Sequence, residues 1–261
     1  MDFREKLKSE TKRCMEQAPV DFMIQSCNMM NKIEDETSKM FKVDEEENEL
    51  LSKIFKRKPI IGDFNKALEE IKSVIETGQL PDNFSEDFVL CDIYVREITM
   101  PCWSYALITN EFVNSLNIFL KDKKTLEVMA GRGLLSALLR EKGAGIICTD
   151  SNDWGGSSEE YAYTEIEIIE AEEAVKKYGK EIDHILMVWP PIHEDHAYRV
   201  VKALREVNPN ASIIYIGENR GCTADDDFFD IIEDVEDIKF REVQKSYQQF
   251  NNLHDRPYLV R

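Results

Sequence analysis

The chain has 261 residues, 43% of them apolar, enough to bury the core of one large domain or of a core domain with a smaller attachment. Its formal charge of −18 opposes any polyanion, which proteins bind by neutralising phosphates with Lys and Arg, so nucleic acid is not an expected partner. No run approaches the roughly 18 apolar residues that cross a bilayer, and the start MDFREKLKSETKR lacks the apolar stretch of a secretion signal; a cytoplasmic protein without a membrane partner is expected.

The pattern over residues 1–100 is helical and predicts an N-terminal helical region. Its clearest stretch is Phe64 to Thr77, where Phe64, Ala67, Leu68, Ile71, Val74 and Ile75 recur on one helix face between Asp63 and Gly78. A Met-rich segment from Met23 to Met40 and an acidic run from Asp44 to Glu49 precede it, and the basic Lys53 to Lys58 reads as a solvated helix end. The six cysteines (Cys14, Cys27, Cys91, Cys102, Cys148, Cys222) have no metal-ligand spacing and read as free thiols.

Residues 101–261 alternate short apolar runs with amphipathic segments, as in a mostly parallel sheet with crossover helices. Strands are expected at Thr125 to Met129, Gly145 to Thr149, Glu165 to Ile169, His184 to Val188 and Ser212 to Gly217. Helices are expected at Leu134 to Lys142, Glu172 to Tyr178, His193 to Val207 and Asp225 to Val235. Two extended runs, Lys239 to Phe250 and Pro257 to Val260, predict a terminal antiparallel hairpin, giving seven strands in all. A plain dinucleotide-binding fold would continue with another parallel strand and helix.

In TLEVMAGRGLLSALL a strand runs through Ala130, Gly131, Arg132 and Gly133 straight into a helix. Glycines let the backbone bend sharply and admit a ligand where a Cβ would block it, next to the N–H groups of a helix start. Glu127 precedes the turn, where a carboxylate would repel a pyrophosphate but hold a cationic amino group directly or through water. Asp150 ends the next apolar run, placed to accept both hydroxyls of a ribose.

With these residues the sequence resembles the class I S-adenosylmethionine-dependent methyltransferases, whose first motif is an acidic residue followed by alternating glycines. Here that motif reads Glu127, Val128, Met129, Ala130, Gly131, Arg132, Gly133, with Met129 where the family often has glycine. The resemblance implies a Rossmann-like α/β fold over residues 101–261 and S-adenosylmethionine as cofactor. It places Asp150 and Ser151 at the ribose, Glu170 and Ala171 beside the adenine, and Trp189, Pro190 and Pro191 at the fourth motif facing the methyl group. The fourth motif lacks the Asn or Asp of enzymes that methylate nitrogen, leaving the backbone carbonyls and the Trp189 indole to orient an acceptor.

His193 and Asp195 follow the proline turn as candidate general bases, with ordinary helix-start polar residues as the other reading. Their spacing is not His-Glu-x-x-His, and no metal site is expected. Glu218 ends the fifth strand as a candidate acceptor contact or as an anchor for the Gly221 turn. Trp103 and Tyr105, read as lying on a helix before the first strand, either cover the cofactor or pack on the N-terminal helices; if those helices form a lid over the cofactor pocket, the substrate is small or a single side chain. The expectation is methyl transfer to a small molecule or a single side chain. A methyltransferase-fold binding module without chemistry is the alternative, and a nicotinamide-dependent oxidoreductase is opposed by Glu127, by Ser136 at the third glycine position and by the hairpin.

Overall fold

A computed structural model describes residues 2–7, 9–10, 13, 100, 104–153, 160–249 and 253–261. The expected helix at Phe64 to Thr77, the Met-rich and acidic segments, the basic Lys53 to Lys58 stretch and Trp103 lie outside the described residues, as do Cys14, Cys27, Cys91 and Cys102. No helix among the described residues is long and apolar enough to cross a membrane.

The apolar runs TLEV, IICTD, HILMV and SIIYIGE become β1 (Thr125–Val128), β2 (Ile146–Asp150), β4 (His184–Val188) and β5 (Ser212–Glu218). They are buried almost throughout, as strands covered by helices on both sheet faces must be. The short β3 (Glu167–Ile168) and the final β6 (Asp255–Val260) complete a sheet in the order β3-β2-β1-β4-β5-β6. All neighbours are parallel except β6, which runs antiparallel to β5 with Glu218 opposite Asp255.

The helices are α1 (Asn110–Phe119), α2 (Leu134–Glu141), α3 (Ala171–Tyr178), α4 (His196–Val207), α5 (Asp226–Ile231) and α6 (Phe240–Ser246). One core places Phe112, Val113 and Leu116 of α1, Leu134 to Leu139 of α2 and Val243 of α6 against Leu186, Ile214, Ile216 and Leu259 of the sheet. On the opposite face Val200, Val201 and Leu204 of α4 and Phe228 of α5 cover Leu126, Ile185, Met187 and Tyr215. Local chemistry sets the ends: Thr109 caps α1 by accepting from Phe112 N at 3.2 Å, and Asp225 caps α5 by accepting from Phe228 N at 2.9 Å. Asn208 closes α4 and donates to the carbonyls of Gly179 and Ile182, both at 2.9 Å, tying α4 to the end of α3.

The expected terminal hairpin is not formed. Lys239 to Phe250 contains α6, whose Phe240 and Val243, with Tyr247 beyond its end, follow helical spacing and pack toward α1. The helix expected to reach Val235 stops at Ile231, and residues 233–235 run extended along the outer edge of β6. There Glu233 and Arg261 exchange backbone bonds of 2.9 Å, and Asp234 forms an isolated bridge with Val260. Among the described residues the sheet thus has six strands and one bridge, against the seven strands expected. Tyr105 lies in a bend before α1 and not on a helix.

Phe112 is fully buried and meets Tyr247 edge-on at 5.0 Å. Phe112→Ala is expected to lower the unfolding free energy by about 3 to 5 kcal/mol through lost transfer energy and a residual cavity, read as a fall in the urea midpoint.

Candidate functional site

The loops after β1, β2, β4 and β5 all leave the carboxyl edge of the sheet, where open parallel sheets bind ligands. After β1 the chain takes three left-handed residues in alternation: Met129 at φ 53°, Gly131 at φ 59° and Gly133 at φ 72°. Glycine accepts this region freely, whereas a side chain there costs about 1 to 2 kcal/mol. Met129 therefore keeps the backbone of the family's usual glycine and carries its strain. Gly133 is the N-cap of α2, with no side chain closing the helix start. A Cβ on it would sit 3.0 Å from Thr164 Cγ2 and 3.1 Å from Ile166 Cδ1.

Two carboxylates hold this turn. Asp150, buried at the end of β2, accepts from Gly131 N and from Asn152 N, each at 2.8 Å. Glu127 is buried beneath the turn, takes the Ser136 hydroxyl as a donor and has the Cys148 thiol 3.9 Å away. Burial pushes its pKa up to about 7 against the pull of Ser136 and Arg140, and burial likewise raises the Cys148 thiol. Ser136 stands at the third glycine position of the dinucleotide pattern, and its hydroxyl is what Glu127 uses there.

Arg132, between the two glycines, is buried against the connection from β2 to β3 and the N-terminal residues. Its Nε donates to the Tyr161 carbonyl at 2.8 Å, its guanidinium lies 4.6 Å from the Tyr163 ring centroid, and one terminal nitrogen is 3.3 Å from Glu10. Residues 3–7 and 9–10 are helical and dock here: Leu7 enters the α1–α2 core, Lys6 donates to the Ala162 carbonyl at 2.7 Å and Arg4 pairs with Glu141 at 2.6 Å. Partial burial raises the Glu10 pKa, but Arg13 and Arg132 outweigh it and hold the carboxylate below its usual range.

The remaining expected residues distribute along the same edge. Ser151 donates to Asp153 at 2.9 Å, Glu170 is the exposed N-cap of α3 without a capping bond, and Ala171 is buried behind it. Trp189 follows β4 at φ 50°, its amide donating to the Ile216 carbonyl at 2.8 Å and its indole to Asp255 at 3.0 Å. Pro190 is buried and Pro191 exposed. His193, exposed at φ 62°, donates its amide to the Ala224 carbonyl at 3.1 Å. Asp195 precedes α4 and pairs with Arg199 at 3.1 Å, while Glu194 lies 2.7 Å from His196, so this stretch is an ion-paired helix start. No group of three or more potential metal ligands occurs among the described residues.

Glu218 accepts from Cys222 N and His254 N, each at 2.8 Å, anchoring both the Gly221 turn and the approach to β6. Burial raises its pKa, but those amides together outweigh it and leave it lowered. Sequence reasoning passed over Asp255, Tyr247 and Arg132. The signal available for Arg132 was its place between the two glycines; Asp255 and Tyr247 carried none.

The order β3-β2-β1-β4-β5 is that of a Rossmann-like sheet, and the antiparallel β6 departs from the dinucleotide-binding pattern. With the glycine turn after β1 and an acidic residue ending β2, this is a Rossmann-like α/β fold. No protein-family model and no curated protein sequence matches the chain. Among solved structures it is similar to the bifunctional kinase-methyltransferase WbdD, at 14% identity over 57% of this chain and 37% of that one with a TM-score of 0.33. It is also similar to magnesium protoporphyrin IX methyltransferase (ChlM) from Synechocystis PCC 6803 with bound SAH, at 11% identity over 68% of this chain and 89% of that one with a TM-score of 0.35. A mutant of MtNAS is matched at 12% identity over 100% of this chain and 98% of that one, with a TM-score of 0.37. The chain spans only 37% of the length of WbdD, and similarity at these TM-scores shows nothing about substrates.

Two outcomes follow from the turn. Gly133→Ala is expected to cost roughly 1 to 3 kcal/mol, since it adds a Cβ both in the left-handed region and against Thr164, and thermal unfolding measures it. For Glu127, a folded pKa of about 7 against 4.5 unfolded means that the unfolded chain releases its proton first, so stability falls as pH rises between those values. Glu127→Gln removes this slope, and above pH 7 the variant is expected to be more stable than the parent by up to about 3 kcal/mol in urea unfolding.

Proposed function

We propose that this chain is an S-adenosylmethionine-dependent methyltransferase acting on a small molecule or a single side chain. The observation that carries the reading is the left-handed turn at Met129, Gly131 and Gly133, tied by Gly131 N to Asp150 and underlain by the buried Glu127. A turn with no Cβ at Gly131 and Gly133, an uncapped helix start and two carboxylates on either side suits a ligand with a ribose and a cationic amino acid end. A pyrophosphate would meet the Asp150 carboxylate and, above pH 7, the Glu127 charge as well.

In this reading Ala130, Gly131 and Gly133 offer backbone to the cofactor, Met129 narrows the space beside its methionine part, and Glu127 holds the amino group directly or through water. Asp150 and Ser151 take the ribose hydroxyls, and Glu170 with Ala171 flanks the adenine. When bound, S-adenosylmethionine supplies an electrophilic methyl group on a sulfonium. The residues of this edge would orient an acceptor toward that methyl group, and a base of the chain would take the acceptor's proton. Trp189, Pro190, Pro191 and Glu218 border the acceptor side of the edge. His193 is assigned as the base, because Asp195 is engaged by Arg199. Most of the rate enhancement comes from holding donor and acceptor in line.

Calorimetric titration with S-adenosylmethionine is expected to give a micromolar Kd that Asp150→Ala weakens at least tenfold, while NAD does not bind. Because the neutral acid cannot hold an ammonium, affinity is also expected to fall as pH drops through about 7, and Glu127→Gln should abolish that fall. Turnover should release S-adenosylhomocysteine. Release of methylthioadenosine would show that the sulfonium's carbon chain is transferred instead, and binding without turnover would favour the non-catalytic module.

A further inference from the structure

Behind Trp189 lies a carboxylate that the cofactor does not use. Asp255 opens β6 opposite Glu218 and is fully buried. One of its oxygens, Oδ2, accepts from the Trp189 indole at 3.0 Å and from the Tyr247 hydroxyl of the segment after α6. The other, Oδ1, is equally buried and has no hydrogen-bond partner. Both donors are neutral, and Glu218, a second carboxylate, repels it. Burial pushes the Asp255 pKa upward, and Glu218 adds to this against the two donors.

An uncompensated buried carboxylate is costly, and an orphaned buried acceptor in a native structure calls for an explanation such as a missing ligand. Here the explanation has a chemical sign. The group lies at the carboxyl edge, on β6 beside the end of β5 and within reach of Trp189 after β4, on the same sheet face as Glu127, and what would complete it is a positively charged donor. Its contacts also lead outward. The Trp189 ring that donates to Asp255 stacks on Tyr105 at 5.9 Å and 21° between planes, and Tyr105 is half exposed. Stacked aromatic faces beside a carboxylate favour a cation over a neutral or anionic ligand. Trp189 itself is held at positive φ, which for a bulky residue is strain maintained by its surroundings.

We propose that Asp255, with Trp189, Tyr105 and Tyr247, is the acceptor recognition site, and that the acceptor is a small molecule carrying a protonated amine which Asp255 Oδ1 accepts. This rests on the cofactor reading above and adds the substrate class to it.

The test titrates the full chain, saturated with S-adenosylhomocysteine, against free amino acids and short diamines and against their amine-free carboxylic acid and alcohol counterparts. An amine is expected to bind and its amine-free counterpart not, with Asp255→Asn weakening the amine at least tenfold and leaving the S-adenosylhomocysteine affinity within twofold. The same variant should hold or raise the thermal midpoint of the free protein, since a merely structural anchor for Trp189 would lower it. Tyr247→Phe keeps the charge but removes one donor, so amine binding should persist while its loss on acidification moves to higher pH. That arm decides the matter if Asp255→Asn does not fold. Unchanged amine binding in Asp255→Asn, no binding of any amine, or an unmoved acid limb in Tyr247→Phe overturns the proposal. If S-adenosylhomocysteine fails to bind the parent protein, the cofactor reading falls, and the amine titration of the free protein still decides this one.

Discussion

The hydrogen bond from Gly131 N to Asp150 Oδ2 joins the two strand ends on which the carboxyl edge is built. It fixes the loop after β1 against the end of β2, so the left-handed turn has one register and α2 starts at Gly133 with its axis set. Arg132 meets the Tyr161 carbonyl, the Tyr163 ring and Glu10. The loop leading to β3 and the N-terminal helical residues thus depend on the same turn, and the Tyr163 amide returns a bond to the Arg132 carbonyl at 2.8 Å.

Most strands and helices of residues 104–261 were legible in the sequence because each is a local pattern. The buried parallel strands read as unbroken apolar runs, and α4 as Ala197, Val200, Val201 and Leu204 on one face. The end of the chain was misread for a physical reason that is equally local. Phe240, Val243 and Tyr247 sit at intervals of three and four, a helical stripe, but the polar Arg241, Glu242, Gln244 and Lys245 between them can pass for alternation. The hairpin's other partner was hidden in the acidic stretch read as the end of a helix. Glu233 to Val235 pairs by backbone alone with the outer edge of β6, and no side-chain pattern marks such a pairing.

The two halves of the candidate site were legible to different degrees. Glu127, Gly131, Gly133 and Asp150 announce themselves because a turn that needs glycine and a strand that ends in a carboxylate are written in consecutive residues. Ser136 was noticed only as a failed glycine, and the structure shows why a hydroxyl stands there: it donates to the one carboxylate buried under the turn. Asp255 could not be found this way. Its partners Trp189 and Tyr247 come from different elements, and only the antiparallel return of β6 brings it to the end of β5. The proposed acceptor side of the edge is a product of topology, whereas the proposed cofactor side is a product of motif.

Strain gathers where that topology converges. Of the seven non-glycine residues at positive φ among those described, Met129, Asn152, Trp189, His193, Arg220 and Ala224 lie in the loops after β1, β2, β4 and β5, and only Asp122 lies at the other end of the sheet. Asn tolerates this region, but methionine, tryptophan and alanine do not choose it. They are kept there by a backbone lattice: Trp189 N to Ile216 O, His193 N to Ala224 O and Ala224 N to Pro190 O. Each such residue gives up about 1 kcal/mol or more that a glycine would recover. A sheet edge stabilised for its own sake would have relaxed at these positions, as the amino edge has. The cost is borne at the edge that carries the left-handed turn and the unpartnered Asp255 oxygen, which is the distribution expected when loop geometry answers to a ligand more than to stability.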